Sequence, residues 1–252
     1  MDSIQPAPVG ARSLLLLLAS LVVPSAVAAQ QSPRITQAIF GDSVAVTSEI
    51  NTEQLGRILA EGRIPVLDVR SQQEYAIAHI PGSRNFYEKE VELVTQAFPD
   101  TSAKLVLYCN GPYCGKSRRL SEELMKRGYT GVMRYQLGMP VWRALGNTVQ
   151  TDLAGIRYIL AGDRTAVMVD ARSPEAFAKG TLPHAVNIRR GDVVAANEDG
   201  RLPSKDKGTR VVVFADTPED AKAVAEEVAR KAYWNSSYFG GTYTDLAALA
   251  GR

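Results

Sequence analysis

Ile64-Pro65-Val66-Leu67-Asp68-Val69-Arg70, in the first half of the chain, has a counterpart in the second, Ala166-Val167-Met168-Val169-Asp170-Ala171-Arg172. Each is an apolar run that ends in an acid and a base, the pattern of a strand buried on both faces and closed by a polar turn. Working outward, a proline stands thirteen residues beyond each aspartate, Pro81 after Asp68 and Pro183 after Asp170, and Asn85 and Asn187 follow each proline by four. A second apolar strand comes next in each half, Lys104-Leu105-Val106-Leu107-Tyr108 and Arg210-Val211-Val212-Val213-Phe214, and each leads into a charged amphipathic helix, over residues 117–127 and 218–231. A third short strand with a Gly-containing turn is expected to finish each copy, at Leu137-Gly138-Met139-Pro140-Val141-Trp142 and Phe239-Gly240-Gly241-Thr242-Tyr243. Strands that alternate with helices imply parallel sheets joined by right-handed crossovers. The fold class is therefore α/β, as two tandem domains, each a mainly parallel sheet flanked by helices.

The boundaries expected are one domain over residues 51–146 and another over 153–252, with the linker near residues 145–152, where Gly146-Asn147-Thr148 breaks the apolar pattern. A helix is predicted over Thr52–Glu61 with Asn51 or Thr52 as its N-cap. Residues 30–50 suggest no regular element and read as an extended arm. Residues 1–29 read as a secretory signal peptide, with Arg12, then an apolar run over residues 14–23, then the small-residue site Ala26-Val27-Ala28-Ala29. That run is short for a bilayer span, which needs about 20 apolar residues, and no later stretch resembles one. The expected location is periplasmic or secreted.

The chain of 252 residues is 45% hydrophobic and 22% charged, as in globular proteins, and its net charge of +2 is too small to suggest nucleic acid as a partner. Its two cysteines are too few for a disulfide scaffold, and with only two histidines beside them a structural zinc site is not expected. No metal and no organic cofactor is implied.

The ordered set of motifs resembles the rhodanese (sulfurtransferase) family. It comprises Leu67-Asp68-Val69-Arg70 with Glu74-Tyr75, His79-Ile80-Pro81-Gly82, Asn85, Val106-Leu107-Tyr108-Cys109 before a helix, Gly128-Tyr129, and Gly138-Met139-Pro140-Val141-Trp142. The second copy matches more weakly, through Val169-Asp170-Ala171-Arg172, Glu175, Phe177, Gly180, Pro183, Asn187 and Gly240-Gly241. The resemblance implies that Cys109, which ends the central strand, takes up a sulfane sulfur as a persulfide and passes it to a thiol or to cyanide. In the second copy Phe214 is followed by Ala215-Asp216-Thr217, so that copy is expected to be catalytically silent. Tandem members of the family more commonly keep the carboxy-terminal cysteine.

The loop Cys109-Asn110-Gly111-Pro112-Tyr113-Cys114-Gly115-Lys116-Ser117 joins a strand end to a helix start. Amides in such a loop can converge on an anion, and the helix dipole adds about half a positive charge. Both effects would lower the Cys109 thiol and supply a nucleophile. The loop resembles a subset with a C-x-G-P-x-C pattern, which leaves Cys114 open as resolving thiol, disulfide partner, second nucleophile or simply a small buried apolar residue. Lys116, Arg118 and Arg119 either attract an anionic donor or coat a solvated helix face. Asp68 and Arg70 are expected to orient neighbouring loops, and His79 to stabilise a turn rather than act as a base. Glu74 is acidic where some two-domain thiosulfate-specific relatives carry a substrate-binding arginine, so the donor is left open among thiosulfate, polysulfide and a persulfide carrier.

Three other readings compete. A cysteine phosphatase needs an arginine six residues past the cysteine to clamp phosphoryl oxygens, and Gly115 stands there. The stretch from Gly111 to Ser117 imitates a phosphate-binding P-loop but is one residue short. The third is a non-catalytic or redox-sensing module with a Cys109–Cys114 disulfide, for which a redox protein is the expected partner.

Overall fold

The computed structural model describes residues 47–250. The signal-peptide reading of residues 1–29, and the arm over residues 30–46, lie outside the described residues. Two five-stranded sheets, parallel throughout, follow one another along the chain. The first contains β1 (Ser48–Glu49), β2 (Val66–Asp68), β3 (Arg84–Asn85), β4 (Lys104–Tyr108) and β5 (Gly131–Tyr135) in the order β1-β5-β4-β2-β3. The second contains β6 (Val149–Thr151), β7 (Val167–Asp170), β8 (Val186–Asn187), β9 (Val211–Phe214) and β10 (Ser236–Phe239) in the order β6-β10-β9-β7-β8. The two orders are the same order, so the repeat seen in the sequence is a repeat of topology. Helices α1 (Thr52–Glu61), α2 (Gln72–Ile77), α3 (Val91–Ala97), α4 (Lys116–Lys126) and α5 (Gly138–Ala144) accompany the first sheet. Helices α6 (Leu153–Gly162), α7 (Pro174–Lys179), α8 (Val193–Glu198), α9 (Pro218–Arg230) and α10 (Tyr243–Ala250) accompany the second. The tandem α/β architecture is as expected.

The quoted apolar runs become β2 and β7, and each lies beside the central strand with its aspartate level with that strand's last residue, Asp68 with Tyr108 and Asp170 with Phe214. The central strands are buried on both faces: Leu105 to Tyr108 and Val211 to Phe214 are all at 0% exposure. That burial requires continuous apolar runs, which is what the sequence has. Helix α1 begins where predicted, with a reciprocal cap in which the Gln54 amide donates to Asn51 Oδ1 and the Asn51 amide to Gln54 Oε1, both at 2.8 Å.

Three local expectations are corrected. The segment Leu137 to Trp142 is not a strand but the start of α5, and the strand that finishes the first copy is β5. Met139 and Trp142, three apart, both turn inward, and so short an apolar run carries no periodicity that separates the two states. The linker region contains β6, whose Val149 and Thr151 are buried while Gln150 between them is not, and which pairs with β10. Ser48 and Glu49, placed in the arm, add an edge strand to β5.

The two domains are joined by main chain. His79 and Gln150 exchange two backbone hydrogen bonds of 2.9 Å, the Asp152 amide donates to Ala76 O at 2.8 Å, and Thr151 Oγ1 donates to Ile77 O at 2.9 Å. Helix α6 packs on α2 so closely that a Cβ on Gly155 would overlap the Ala76 carbonyl. His79 is buried here, stacked on Tyr75 at 3.8 Å with Nδ1 2.9 Å from Tyr75 O, and burial holds its pKa down. Its ring thus packs against the last turn of α2 and faces Asp152 at 4.0 Å. Among the described residues no helix is long and apolar enough to cross a membrane.

Candidate active site

Arg70 folds back on Asp68, donating through Nε and Nη2 to the carboxylate, and its Nη2 also reaches Ala78 O. Asn85 donates to both Asp68 O and Arg70 O, at 3.0 and 2.9 Å. The second copy repeats each contact: Arg172 donates to Asp170 and Gly180 O, and Asn187 to Asp170 O and Arg172 O. Both pairs are buried, so their work is to fix the turn after β2 or β7. In the first copy the turn has one further contact, Arg70 Nη1 to Asn110 Oδ1 at 3.3 Å, which ties it to the cysteine loop.

The copies diverge after the central strand. Residues 109–115 separate β4 from α4, whereas only residues 215–217 separate β9 from α9. In the second copy Thr217 caps α9 by accepting from the Asp220 amide, Pro218 follows, and Glu219 and Asp220 meet the positive end of the dipole. The first turn of α4 has no side-chain cap and no acid. Its amides and its dipole are therefore directed at whatever the loop holds, and the loop holds two sulfurs.

Cys109 is 1% exposed and packs among Leu67, Val69, Leu107 and Leu120. Its Sγ lies 3.3 Å from Cys114 O and 3.5 Å from Ser117 Oγ. Cys114 is half-buried, and both cysteines are free thiols on the one loop. The Cys109 thiol is pushed up, first because it donates to Cys114 and then because it is buried, although the Ser117 amide points at it. The Cys114 thiol is lowered from its ordinary 9.0 to about 6 by that hydrogen bond from Cys109, against burial, with help from the amides of Lys116 and Asn110 and the Lys116 ammonium. The expectation that the loop lowers the Cys109 thiol is thus corrected. The field is there, but the more open sulfur, with two amides to itself, takes the charge.

Glu74 accepts from Asn110 Nδ2, Ser71 Oγ (2.8 Å) and Lys116 Nζ (3.1 Å), which hold its carboxyl at about 2 against the burial that would raise it. Lys116 therefore serves both Glu74 and the Cys114 sulfur. Arg119 is held by Glu88 at 2.7 Å with its Nη1 against Gly115, and Arg118 lies 3.8 Å from Glu122. Both arginines are engaged on the helix face, and Arg119 supports the loop from there. Tyr113 is exposed, while Gly111 is buried against Pro140.

Two groups of functional interest contain residues that were not anticipated from sequence, Arg134 and Gln136 in one and Arg143, Arg210 and Trp234 in the other. Arg134, 1% exposed in β5, donates to Thr47 Oγ1 (2.6 Å), Glu49 Oε1 (3.1 Å) and Gln136 Oε1 (2.8 Å), and Gln136 Nε2 donates to Pro112 O at 2.8 Å. This chain of bonds backs the loop, and its signal is a lone charge within an apolar strand. The other group lines a cleft of about 370 Å³ between the domains. Asn110, Arg70, Glu74 and Arg143 contribute to it from the first domain, and Arg210 and Trp234 from the second.

The Rhodanese-like domain model matches residues 51–145 and again 159–248. The thiosulfate sulfurtransferase GlpE of Pseudomonas paraeruginosa is 32% identical over 91 residues, covering 35% of this chain and 78% of that protein. The crystal structure of thiosulfate sulfurtransferase from Pseudomonas aeruginosa matches 81% of this chain and 43% of that one, at 18% identity and a TM-score of 0.38. A rhodanese with anions from E. coli matches 28% of this chain and 82% of that one, at 33% identity and a TM-score of 0.26. With both sheets matched by the family model, the chain belongs to the rhodanese family as a tandem of two rhodanese-like domains.

Proposed function

We propose that the protein is a sulfurtransferase that carries a sulfane sulfur as a cysteine persulfide on the Cys109–Cys114 pair. The observation that carries this reading is the uncapped start of α4, whose preceding loop holds two free thiols, with Cys114 lowered to about 6 beside the amides of Asn110 and Lys116. The Cys114 thiolate attacks the outer sulfur of a donor such as thiosulfate or a polysulfide. The donor's S–S bond breaks, its electron pair leaves with sulfite or the shortened polysulfide, and Cys114 keeps the sulfur as a persulfide anion. A thiolate or cyanide then attacks the terminal sulfur, and the electron pair of that bond returns to Cys114. Two electrons shift in each step and none is gained or lost overall. The second domain, with Ala215 where the first has Cys109, takes no part in the transfer.

Cys109 as the carrier is a second reading, supported by its place at the end of β4 and by the Ser117 amide directed at its sulfur. Mass spectrometry after exposure to thiosulfate or polysulfide separates the two by the cysteine that gains one sulfur. The proposal expects that mass on Cys114, retained in Cys109→Ala and lost in Cys114→Ala; the reverse pattern assigns Cys109. Protein that forms no thiocyanate from any donor, and whose cysteines stand as an obligate disulfide, is instead a redox-sensing module. The signal-peptide reading makes an exported location part of the proposal, and recovery of the processed protein outside the cytosol tests it.

A further inference from the structure

Gln136 follows β5 and is buried between the Arg134 guanidinium and the cysteine loop. Its Oε1 accepts from Arg134 Nη1 at 2.8 Å, and its Nε2 donates to Pro112 O at 2.8 Å and to Cys114 O at 3.4 Å. A guanidinium has donors and no acceptor. Arg134 therefore admits only the oxygen end of this amide, and the nitrogen end must face the loop. Arg134 is itself fixed, by Thr47 Oγ1 and by Glu49 of the edge strand β1. The Cys114 carbonyl that Gln136 reaches lies 3.3 Å from Cys109 Sγ, where it accepts from a thiol and opposes a thiolate. The Cys114 sulfur is left to the amides of Asn110 and Lys116.

The second copy forms the same sheet without this device. Asp68 is level with Tyr108 and Asp170 with Phe214, so Leu107 and Val213 are equivalent places in the two central strands. Leu107 pairs with Arg134, and Val213 pairs with Tyr238. Tyr238 and, two residues on, Gly240 therefore stand where the first copy has Arg134 and Gln136. The copy without a thiol also lacks the anchor, although its strand order is the same. A buried ion pair such as Arg134 with Glu49 adds little stability over apolar residues of similar volume, so holding the sheet does not account for it.

We propose that Gln136, oriented by Arg134, is the positioning residue that assigns the thiolate to Cys114 rather than Cys109. It does so by keeping the Cys114 carbonyl against the Cys109 sulfur and the loop amides against the Cys114 sulfur. The assignment of charge stands on the loop alone; only its consequence, that Cys114 is the sulfur presented to a donor, rests on the sulfurtransferase reading. Cys109 and the Lys116 ammonium also act on Cys114, and neither is altered by a change at Gln136.

The test is iodoacetamide alkylation of the full chain across pH, read cysteine by cysteine by mass spectrometry. Gln136→Met keeps the length without the donor or any charge, and Arg134 keeps Glu49 and Thr47. The Cys114 midpoint is expected to rise by about one unit, so that alkylation at pH 6 slows about fivefold, with Tm near that of the native protein. Gln136→Asn keeps the amide but is about 1.5 Å shorter, too short to reach both Arg134 and the loop. It is expected to raise the midpoint likewise, and it carries the same reading should the methionine variant not fold. An unchanged midpoint in Gln136→Met overturns the proposal, as does a native midpoint in Gln136→Asn, which would show that any polar group suffices. Both cysteines titrating in the ordinary thiol range would mean that the loop has come apart and Gln136 is only a structural support, which also overturns it. In turnover with thiosulfate, kcat/KM of Gln136→Met is expected to fall about fivefold at pH 6 and to approach the native value near pH 8.5, where Cys114 is a thiolate in both. A midpoint that shifts in a protein transferring no sulfur refutes the function and keeps the positioning role; transfer with no shift refutes the positioning role alone.

Discussion

Replacing Cys109 by alanine removes the largest single influence on the Cys114 thiol and leaves the rest of the loop in place. With its pKa at about 6, Cys114 at pH 7 holds about ten thiolates for each thiol, where an ordinary cysteine holds about one in a hundred. A hydrogen bond to a charged acceptor contributes about 1.5–3 kcal/mol, or about one to two pH units at about 1.4 kcal/mol each. Because Cys114 is half-buried and partly screened, the lower end applies, about one unit. The amides of Asn110 and Lys116 and the Lys116 ammonium hold the remainder. The midpoint for alkylation of Cys114 by iodoacetamide is therefore expected near pH 6 in the native protein and about one unit higher in Cys109→Ala. At pH 6 the reactive fraction then falls from about half to about a tenth. Mass spectrometry places the first adduct on Cys114. A native midpoint in the ordinary thiol range, an unchanged midpoint in the variant, or a first adduct on Cys109 refutes the assignment of the thiolate.

Four further outcomes are expected. Asp68→Ala leaves Arg70 charged and buried, and urea unfolding should show a loss of about 3–5 kcal/mol. Asp170→Ala should do the same through Arg172 in the second copy. Gly138 has φ +60 and a Cβ there would overlap Cys109 O and the Gly111 backbone, so Gly138→Ala should lower Tm and cut kcat/KM together by shifting the loop. Glu74 has its folded-state pKa depressed to about 2 from an ordinary 4.5, so its contribution to stability is complete above about pH 4.5 and lost as pH falls toward about 2. Glu74→Gln should therefore flatten that part of the acid-unfolding profile, by a modest amount because the group is partly solvated.

Much of the fold was legible because its logic is local. An apolar run that must be buried on both faces, an acid and base that close it, and a proline at a fixed distance leave the same mark twice, and the sheets repeat accordingly. The misread elements were those with the shortest marks. Three residues of β6 and two of β1 are too few for periodicity, and α5 exposes its helical spacing only through Met139 and Trp142. At the site, the loop and both sulfurs were legible from residue type and position. Which sulfur is charged was not, since that depends on which amides converge on it and on exposure that only the folded loop sets. Arg143 was invisible for a different reason. An arginine in a helix is usually solvated or paired with a carboxylate, and only the packed domains show that this one is partly buried and bonded to Asn235 instead.

The joint between His79 and Gln150 is made of peptide groups, which every sequence possesses, so the second domain can dispense with a thiol and a loop without loosening its hold. It cannot dispense with β6. Cutting the chain just before Val149 would keep every atom of the cysteine loop, yet it would wet Ile77, open the Ala76 and His79 carbonyls to water, and remove a strand of backbone that α2 leans on. The first domain is therefore walled in by a strand that the chain counts toward its second, and its own edge is closed only once that strand is in place.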